Sequence, residues 1–222
     1  MSTLVAVPVK DLVNAKQRLM PLLSGPERSD LARAMLEDVL AALAQARLGP
    51  VAVVTRDPEV EALALQHGAE ILREQVNRGH TEAVAQAQRA AAARGARRFL
   101  TVPGDLPCTT PRELAALDAS LPDGGGVALV PSLSGFGTNA ALLAPPGVMG
   151  LKFGEPSFEN HLIAARAVGL QPVVLTLPGM GLDIDAPEDL SLLLERGAST
   201  RSAALLVRLR VPARLRSRAE TL

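Results

Sequence analysis

Short apolar runs alternate with amphipathic segments along most of the chain. Aliphatic runs of this kind are typical of buried strands, and extended segments are predicted at residues 4–9, 51–55, 98–102, 127–131, 140–143 and 173–177. Helices are predicted beside them at residues 27–46, 58–66, 81–93, 111–121 and 157–168. Strands that alternate with helices favour one α/β domain with a three-layer, mostly parallel sheet. Ligands of such sheets bind beyond the carboxyl ends of the strands, so we expect the site there.

Composition narrows the range of partners. The 222 residues carry 23 basic and 23 acidic side chains, and this balance does not favour a nucleic-acid polymer or an anionic membrane. Base stacking also needs aromatic rings, yet the chain has no Trp, no Tyr and only four Phe. Cys108 is the single cysteine, which excludes an intrachain disulfide and a Cys-rich zinc site. No apolar run approaches the roughly 20 residues that span a bilayer, and the apolar start is too short for a signal peptide. We therefore expect small-molecule partners and a cytoplasmic location.

The chain is predicted to divide into a main domain, residues 1–196, and a basic tail, residues 197–222. From Thr200 onward Glu220 is the only acid, whereas the arginines are Arg201, Arg208, Arg210, Arg214, Arg216 and Arg218. A basic amphipathic tail can contact a membrane or RNA, but we favour a solvated helix or a frayed end.

Three cations, Lys10, Lys16 and Arg18, follow the first predicted strand. Cations at this edge of the sheet can neutralise a nucleotide triphosphate and its pyrophosphate leaving group. The alternative is a solvated basic loop. The Gly-x-x-x-x-Gly-Lys-Ser/Thr pattern is absent, which excludes a P-loop enzyme.

Carboxylates follow or precede other predicted elements. Asp105 comes after a strand and beside Gly104, a position that suits Mg²⁺ bridged to phosphates. Near the other end of the chain, Asp183 and Asp185 lie on the same side of an extended segment because side chains alternate there. Either can be the second metal ligand, and proximity to the next helix favours Asp185. The alternative for Asp185 is the N-cap of the helix that Pro187 begins.

A third group combines a Gly-Thr-Asn loop with a helix start. Gly154 precedes the predicted helix 157–168 and Ser157 stands at its start, where free amides can bind a phosphate. Thr138 can add a hydroxyl donor, and His161 projects on the same side as Ser157, one turn later. The alternative is that Ser157 is only an N-cap.

Taken together, these residues resemble the guanylyltransferase family of coenzyme F420 biosynthesis. Members act on 2-phospho-L-lactate, phosphoenolpyruvate or 3-phospho-D-glycerate. The resemblance extends in family order to Leu190. The matching stretches are Val7-Pro-Val-Lys10, Ala15-Lys16-Gln-Arg18-Leu19, Gly104-Asp-Leu-Pro107, Gly137-Thr-Asn139, Phe153-Gly154, Ser157-Phe158 with His161, and Asp183-Ile-Asp185.

The resemblance implies a nucleotide-diphospho-sugar transferase-like (Rossmann-like) single domain, with roles for particular residues. Thr138, Gly154 and Ser157 would hold the acceptor phosphate, and Asp105 and Asp185 would hold Mg²⁺. Lys16 and Asp105 would be catalytic, and the nucleotide-binding residues would be Lys10, Arg18 and Asn77. One segment departs from the family pattern: Asn77 stands in Val76-Asn77-Arg-Gly-His80 instead of a Leu-Asn-x-Ala-Leu type of segment.

The predicted reaction transfers GMP from GTP to a small phosphorylated carboxylic acid and releases diphosphate. A phosphate is largely ionised near neutral pH, since its second pKa is about 6, so no general base is needed. One alternative is a molybdenum-cofactor or sugar-phosphate nucleotidyltransferase, but those usually have a Gly-rich first loop. Another is a non-catalytic nucleotide-binding scaffold, which the retention of Asp105 with Asp183 and Asp185 argues against. The choice of acceptor and the formation of a homodimer stay open, although a bacterial composition disfavours 2-phospho-L-lactate.

Overall fold

The computed structural model describes residues 3–74, 76 and 78–219. Within these residues, seven strands form one sheet in the order β3-β2-β1-β4-β6-β5-β7. The strands are β1 (Thr3–Pro8), β2 (Val51–Thr55), β3 (Glu70–Arg73), β4 (Arg98–Thr101), β5 (Gly126–Pro131), β6 (Thr138–Ala144) and β7 (Val173–Val174). The helices are α1 (Gly25–Ala46), α2 (Pro58–Gln66), α3 (His80–Ala93), α4 (Pro111–Ala119), α5 (Ser157–Ala167), α6 (Pro187–Arg196), α7 (Arg201–Arg208) and α8 (Val211–Ala219).

Helices cover both faces of the sheet, which confirms the three-layer prediction. Side chains alternate along β1, so Val5 and Val7 face one core while Leu4 and Ala6 face the other. The first core is completed by α1, α2 and α4, and the second by α3 and α5. Both faces of the strands are therefore buried, as expected for a parallel α/β sheet.

One interior strand runs against the others. β6 is antiparallel to both β4 and β5, whereas the pairs β1–β2, β1–β4, β2–β3 and β5–β7 are parallel. The connection between β5 and β6 is a short hairpin, which can join only antiparallel strands. Thr101 pairs with Ala141, so the beginning of β6 lies beside the carboxyl end of β4. This reversal brings Thr138 and Asn139 to the edge of the sheet where Asp105 follows β4.

Most predicted elements are present, with ends shifted by one or two residues. The exception is the segment 173–177, of which only Val173–Val174 forms a strand. This strand is the last in the sheet and is exposed, so it pairs on one side only. Its neighbour Leu175 still donates its N–H to Leu129 O at 3.0 Å.

The described part of the basic tail forms two helices, α7 and α8, that pack on the domain, so it is not the frayed end considered from composition. Leu205 and Leu206 of α7 are buried in a cluster with Leu31 and Met35 of α1. In α8, Arg214 forms an ion pair with Glu27 at 2.7 Å and also donates to Leu22 O at 2.8 Å. Throughout the described residues, no helix combines the length and apolarity needed to cross a bilayer.

Candidate active site

A cleft of about 640 Å³ opens at the carboxyl ends of β1 and β4. Its wall includes the cations Lys10 and Lys16 together with Asp105 and Asp185. Four of the predicted site residues therefore converge, although they come from three distant parts of the sequence. A cleft of about 780 Å³ lies elsewhere, beside α8, and is lined by Leu22, Leu209 and arginines of the tail. We place the candidate site in the former, where the carboxylates are.

Lys16 connects the two carboxylates of the cleft. Its Nζ lies 2.6 Å from Asp105 Oδ2 and 2.8 Å from Asp185 Oδ1. The lysine directly precedes a 3₁₀ turn, Gln17–Leu19, and adopts a left-handed backbone conformation with φ of 54°. A non-glycine residue in this conformation is strained by about 1 kcal/mol or more. The contacts of its ammonium group offset that strain.

The charges of this group stabilise one another. Burial lowers the pKa of Lys16, but the charges of Asp105 and Asp185 and their hydrogen bonds raise it above its usual range. Burial likewise raises the pKa of Asp105, but the Lys16 ammonium outweighs this effect and holds that pKa below its usual value. At neutral pH Lys16 is therefore protonated and Asp105 is ionised.

Asp183 and Asp185 lie on one side of an extended segment, as their spacing predicted. Leu182 and Ile184, which flank Asp183 in the sequence, are buried in the core. Asp183 Oδ1 accepts a hydrogen bond of 3.1 Å from Asn139 Nδ2, which also donates to Met180 O and Gly181 O. Burial raises the pKa of Asp183, and the neighbouring charges of Asp105 and Asp185 add to this effect.

The alternative role of Asp185 as a helix cap is wrong. Helix α6 begins at Pro187, and Ala186 is its N-cap residue. The carboxylate of Asp189 accepts from Asp185 N at 2.9 Å and from Ala186 N at 2.7 Å. The side chain of Asp185 accepts from Lys16 Nζ at 2.8 Å instead of from an amide of α6.

The donor chemistry of the cleft fits Mg²⁺. Among the described residues, no group of three His, Cys, Asp or Glu side chains has a metal-binding arrangement. Mg²⁺ in phosphoryl-transfer sites usually takes one or two carboxylates, and phosphates and waters supply the other ligands. Asp105 and Asp185 together exceed the single positive charge of Lys16. The pair therefore supplies enough oxygen ligands and negative charge for such a site.

A second polar group joins β6 to the start of α5. Thr138 N donates to Ser157 Oγ at 2.9 Å, and Thr138 Oγ1 lies 2.9 Å from His161 Nδ1. His161 Nε2 accepts from Lys152 N at 2.9 Å. All three side chains are buried, with exposed fractions of 7% for Thr138, 3% for Ser157 and 1% for His161. The interpretation of Ser157 as an N-cap is wrong, because Pro156 is the N-cap residue of α5 and no side chain caps it.

Two glycines of the predicted site serve different purposes. Gly154 has φ of 105°, and a Cβ there would meet open space. It is therefore required for its backbone conformation rather than for room. At Gly104 a Cβ would lie 3.1 Å from Leu36 Cδ1 and 3.3 Å from Val9 Cγ2. This glycine lets the loop that carries Asp105 pack closely on α1.

Not every predicted site residue reaches the cleft. Arg18 is exposed and lies outside its wall, and Thr138 and Ser157 also lie outside it. Thr138 and Ser157 are linked to the carboxylates through Asn139, which follows Thr138 and binds Asp183. The prediction for Asn77 lies outside the described residues.

Two residues that were not among the predicted site residues lie at the site in the structure. Asn139 anchors the chain before Asp183, and His80 lines the cleft. The ring of His80 packs against Phe153 with centroids 4.5 Å apart, and burial lowers its pKa. Asn139 stood within the Gly-Thr-Asn stretch, but only the fold shows its partners.

Cys108 is buried and burial raises its pKa to about 11, in agreement with a packing role.

The fold, a mostly parallel sheet with one reversed strand beside the cleft, is shared with a solved structure. The crystal structure of a protein from Desulfovibrio desulfuricans G20, described as a nucleotide-diphospho-sugar transferase, superposes with a TM-score of 0.76 over 98% of both chains at 19% identity. A sequence model of the family described as "Guanylyl transferase CofC like" matches residues 3–221. The chain therefore belongs to this guanylyltransferase family, and the match includes the basic tail.

Two curated relatives agree with this assignment. The phosphoenolpyruvate guanylyltransferase of Sphaerobacter thermophilus is 41% identical over 191 residues, which covers 86% of this chain and 91% of the relative. The 2-phospho-L-lactate guanylyltransferase of Methanothermobacter thermautotrophicus is 35% identical over 212 residues, which covers 95% and 92% respectively. The predicted family and enzyme class are confirmed.

Proposed function

We propose that this enzyme transfers GMP from GTP to a small phosphorylated carboxylic acid and releases diphosphate. The observation that carries the proposal is the Lys16 ammonium between Asp105 and Asp185, 2.6 and 2.8 Å from their oxygens, at the wall of a cleft large enough for a nucleotide. Adjacent carboxylates with an interposed lysine supply both signs of charge that a triphosphate and its counter-ion require.

Each residue of the cleft has a role in this proposal. Asp105 and Asp185 would hold Mg²⁺, which would supply positive charge to neutralise the phosphates. Lys16 donates to the phosphates, and Lys10 attracts the nucleotide from the rim of the cleft. Arg18, as a cation of the first loop, and Asn77, on family resemblance, are proposed as further nucleotide contacts.

The acceptor binds at the start of α5 in this proposal. Thr138, Gly154 and Ser157 hold an anionic group of the acceptor with hydroxyl and backbone donors. The phosphate oxygen of the acceptor attacks the α-phosphorus of GTP in line with the departing diphosphate. Since a phosphate is already largely ionised above its second pKa of about 6, the protein needs to position and neutralise the reactants but not to remove a proton.

The candidate acceptors are phosphoenolpyruvate, 2-phospho-L-lactate and 3-phospho-D-glycerate. The first two occur in the names of the relatives. We further propose that the enzyme acts in the cytoplasm, in coenzyme F420 biosynthesis, and that residues 1–196 form its nucleotidyltransferase domain. The tail, residues 197–222, stabilises that domain through α7 and α8.

The proposal is tested by incubating the full chain with GTP, MgCl₂ and each of the three phospho-acids while diphosphate release is measured. We expect release with at least one acceptor, and mass spectrometry should show the guanylylated acid. ATP, CTP and UTP serve as controls for base selectivity, and glucose 1-phosphate serves as a control for a sugar-phosphate enzyme. Release with the sugar phosphate alone, or with none of the acceptors, would overturn the proposal.

A further inference from the structure

The hydrogen bonds around Thr138 have a fixed direction. Lys152 N lies 2.9 Å from His161 Nε2, and a backbone N–H can only donate. Nε2 is therefore the unprotonated nitrogen of the ring. Burial lowers the pKa of His161 to about 4, so the ring is neutral near pH 7 and carries its one proton on Nδ1.

The proton on Nδ1 determines what Thr138 can do. Nδ1–H donates to Thr138 Oγ1 across 2.9 Å, so the hydroxyl oxygen accepts this bond. Ser157 Oγ likewise accepts from Thr138 N, since that backbone group can only donate. Within the described part of the chain, neither hydroxyl has an acceptor for its own hydrogen. Two side chains that are more than nine-tenths buried thus keep one free donor each.

We propose that His161 is a positioning residue that makes Thr138 a hydrogen-bond donor to the anionic group of the acceptor. In the other tautomer, Thr138 would donate to Nδ1 and present only lone pairs to the ligand, which would repel an anion. The relay from Lys152 N through the imidazole to Thr138 prevents this reversal. The inference rests on the proposed function, because it assumes that the acceptor binds beside Thr138 and Ser157.

Two substitutions of His161 separate the positioning role from simple packing. In His161→Asn, the amide nitrogen lies near the position of Nδ1 and can still donate to Thr138. In His161→Gln, the amide oxygen lies near the position of Nε2 and can accept from Lys152 N, but the donor to Thr138 is lost. Both variants lose the ring contact with Phe153, whose centroid lies 5.1 Å from that of His161. Each variant should therefore lose a similar amount of thermal stability.

The KM for the acceptor distinguishes the two variants. We expect His161→Gln to raise it by about tenfold, because a hydrogen bond to a charged group is lost or misdirected, with the KM for GTP unchanged. His161→Asn should stay within about threefold of the wild type, since it keeps the donor. Equal increases in both variants would overturn the proposal and leave His161 a packing residue.

A double-mutant cycle tests whether His161 acts through Thr138. Thr138→Val removes the hydroxyl and should itself raise the acceptor KM. Adding His161→Gln to this variant should change the KM no further, because there is no hydroxyl left to orient. Effects that multiply would show that His161 acts by another route and would overturn the inference.

One measurement does not depend on turnover. Long-range ¹H–¹⁵N correlation spectra of the three histidine rings report which nitrogen is protonated, and the His161 signals are assigned by their loss in His161→Asn. A proton on Nδ1 near pH 7 is expected, and a proton on Nε2 would overturn the inference whatever the activity. If no acceptor supports diphosphate release, the proposed function fails. In that case the double-mutant cycle is repeated with the Kd for phosphoenolpyruvate, measured by calorimetry, in place of the KM. If the wild type does not bind phosphoenolpyruvate, this inference is overturned too.

Discussion

The ammonium group of Lys16 lies 2.6 Å from Asp105 Oδ2, although 89 positions separate the two residues. The same nitrogen is 2.8 Å from Asp185 Oδ1, so one cation contacts two carboxylates. Fixed charges of both signs at one point of the cleft are pre-organised for a reaction that moves negative charge between phosphates. Two of our predictions concern this contact directly.

Lys16→Ala should reduce kcat far more than Lys10→Gln. Lys16 is nearly buried, with 9% of its side chain exposed, and its loss removes a charged donor from the reacting phosphates. Loss of one such donor typically costs about 100- to 1,000-fold in rate. Lys10 is exposed at the rim, where solvent screens its charge, so we expect less than about a tenfold effect. Steady-state diphosphate release measures both, and equal mild effects would show that the first loop is merely solvated.

Asp105→Asn should abolish diphosphate release while the protein keeps its fold. Asp185→Asn should raise the Mg²⁺ concentration for half-maximal rate by at least about tenfold, because a neutral amide is a much weaker ligand for a hard cation. A titration of activity with MgCl₂ measures both effects, and circular dichroism reports the fold.

The matched control for these two variants is Glu188→Gln. It makes the same change of charge at an exposed position in the first turn of α6, close to Asp185 in the sequence. Its Mg²⁺ dependence should equal that of the wild type. If Asp183→Asn raised the Mg²⁺ requirement and Asp185→Asn did not, the second ligand would be Asp183, and Asp185 would serve only to hold Lys16.

Parts of the fold with a local cause were predictable. Asp57 before Pro58 predicted the start of α2, and Asp57 Oδ1 indeed accepts from Glu59 N at 2.8 Å. The convergence of Lys16, Asp105 and Asp185 also followed from sequence, since each adjoins a strand or helix end and such ends meet at one edge of the sheet.

Features that depend on competition between partners were not predictable. Asp185 stood where an N-cap of α6 belongs, and only the folded geometry shows that Ala186 is the N-cap residue and that the Asp185 carboxylate binds Lys16 instead. Ser157 stood at a helix start, yet its oxygen accepts from Thr138 N on another element instead of from its own helix. The reversed direction of β6 likewise depends on which strand it pairs with, a choice that the apolar pattern of residues 140–143 does not encode.

Ser157→Ala should raise the KM for the acceptor by about tenfold to a hundredfold, because one hydrogen bond to a charged group is lost. The same change leaves the buried N–H of Thr138 without its acceptor, so the melting temperature should fall as well. The KM for GTP should not change. A lowered melting temperature with an unchanged acceptor KM would show that Ser157 does not contact the acceptor and that the acceptor binds elsewhere.

Ser202→Ala is the matched control for Ser157→Ala. Ser202 is a fully buried serine of α7 whose hydroxyl donates to Asp38 Oδ2 at 2.7 Å, and it contributes to the packing of the tail. We expect this variant to lose stability without any change in either KM. Together the two serine variants separate loss of a buried hydrogen bond from loss of a ligand contact.

The contact of Arg214 with Glu27 should make the packing of the tail sensitive to acid. The hydrogen bonds from Arg214 and from Ser24 N lower the pKa of Glu27 to about 2, from 4.5 in the unfolded chain. A depressed carboxyl pKa stabilises the folded state above pH 4.5, and this contribution is lost as the pH falls from 4.5 towards 2. Because 38% of the Arg214 side chain is exposed, solvent screens the pair and we expect only about 0.5–1 kcal/mol from it at neutral pH.

Arg214→Gln tests this contribution against Arg210→Gln, which removes the same charge from an exposed position one turn earlier. At pH 7 the Arg214 variant should unfold at a lower urea concentration than the control. The difference between the two should shrink as the pH falls through 4.5 and should be largely lost by pH 2, the pKa of Glu27 in the folded protein. A difference that persists unchanged at pH 2 would assign the effect to the bond from Arg214 to Leu22 O rather than to the ion pair. Equal midpoints at pH 7 would show that the tail does not depend on Arg214 for its packing.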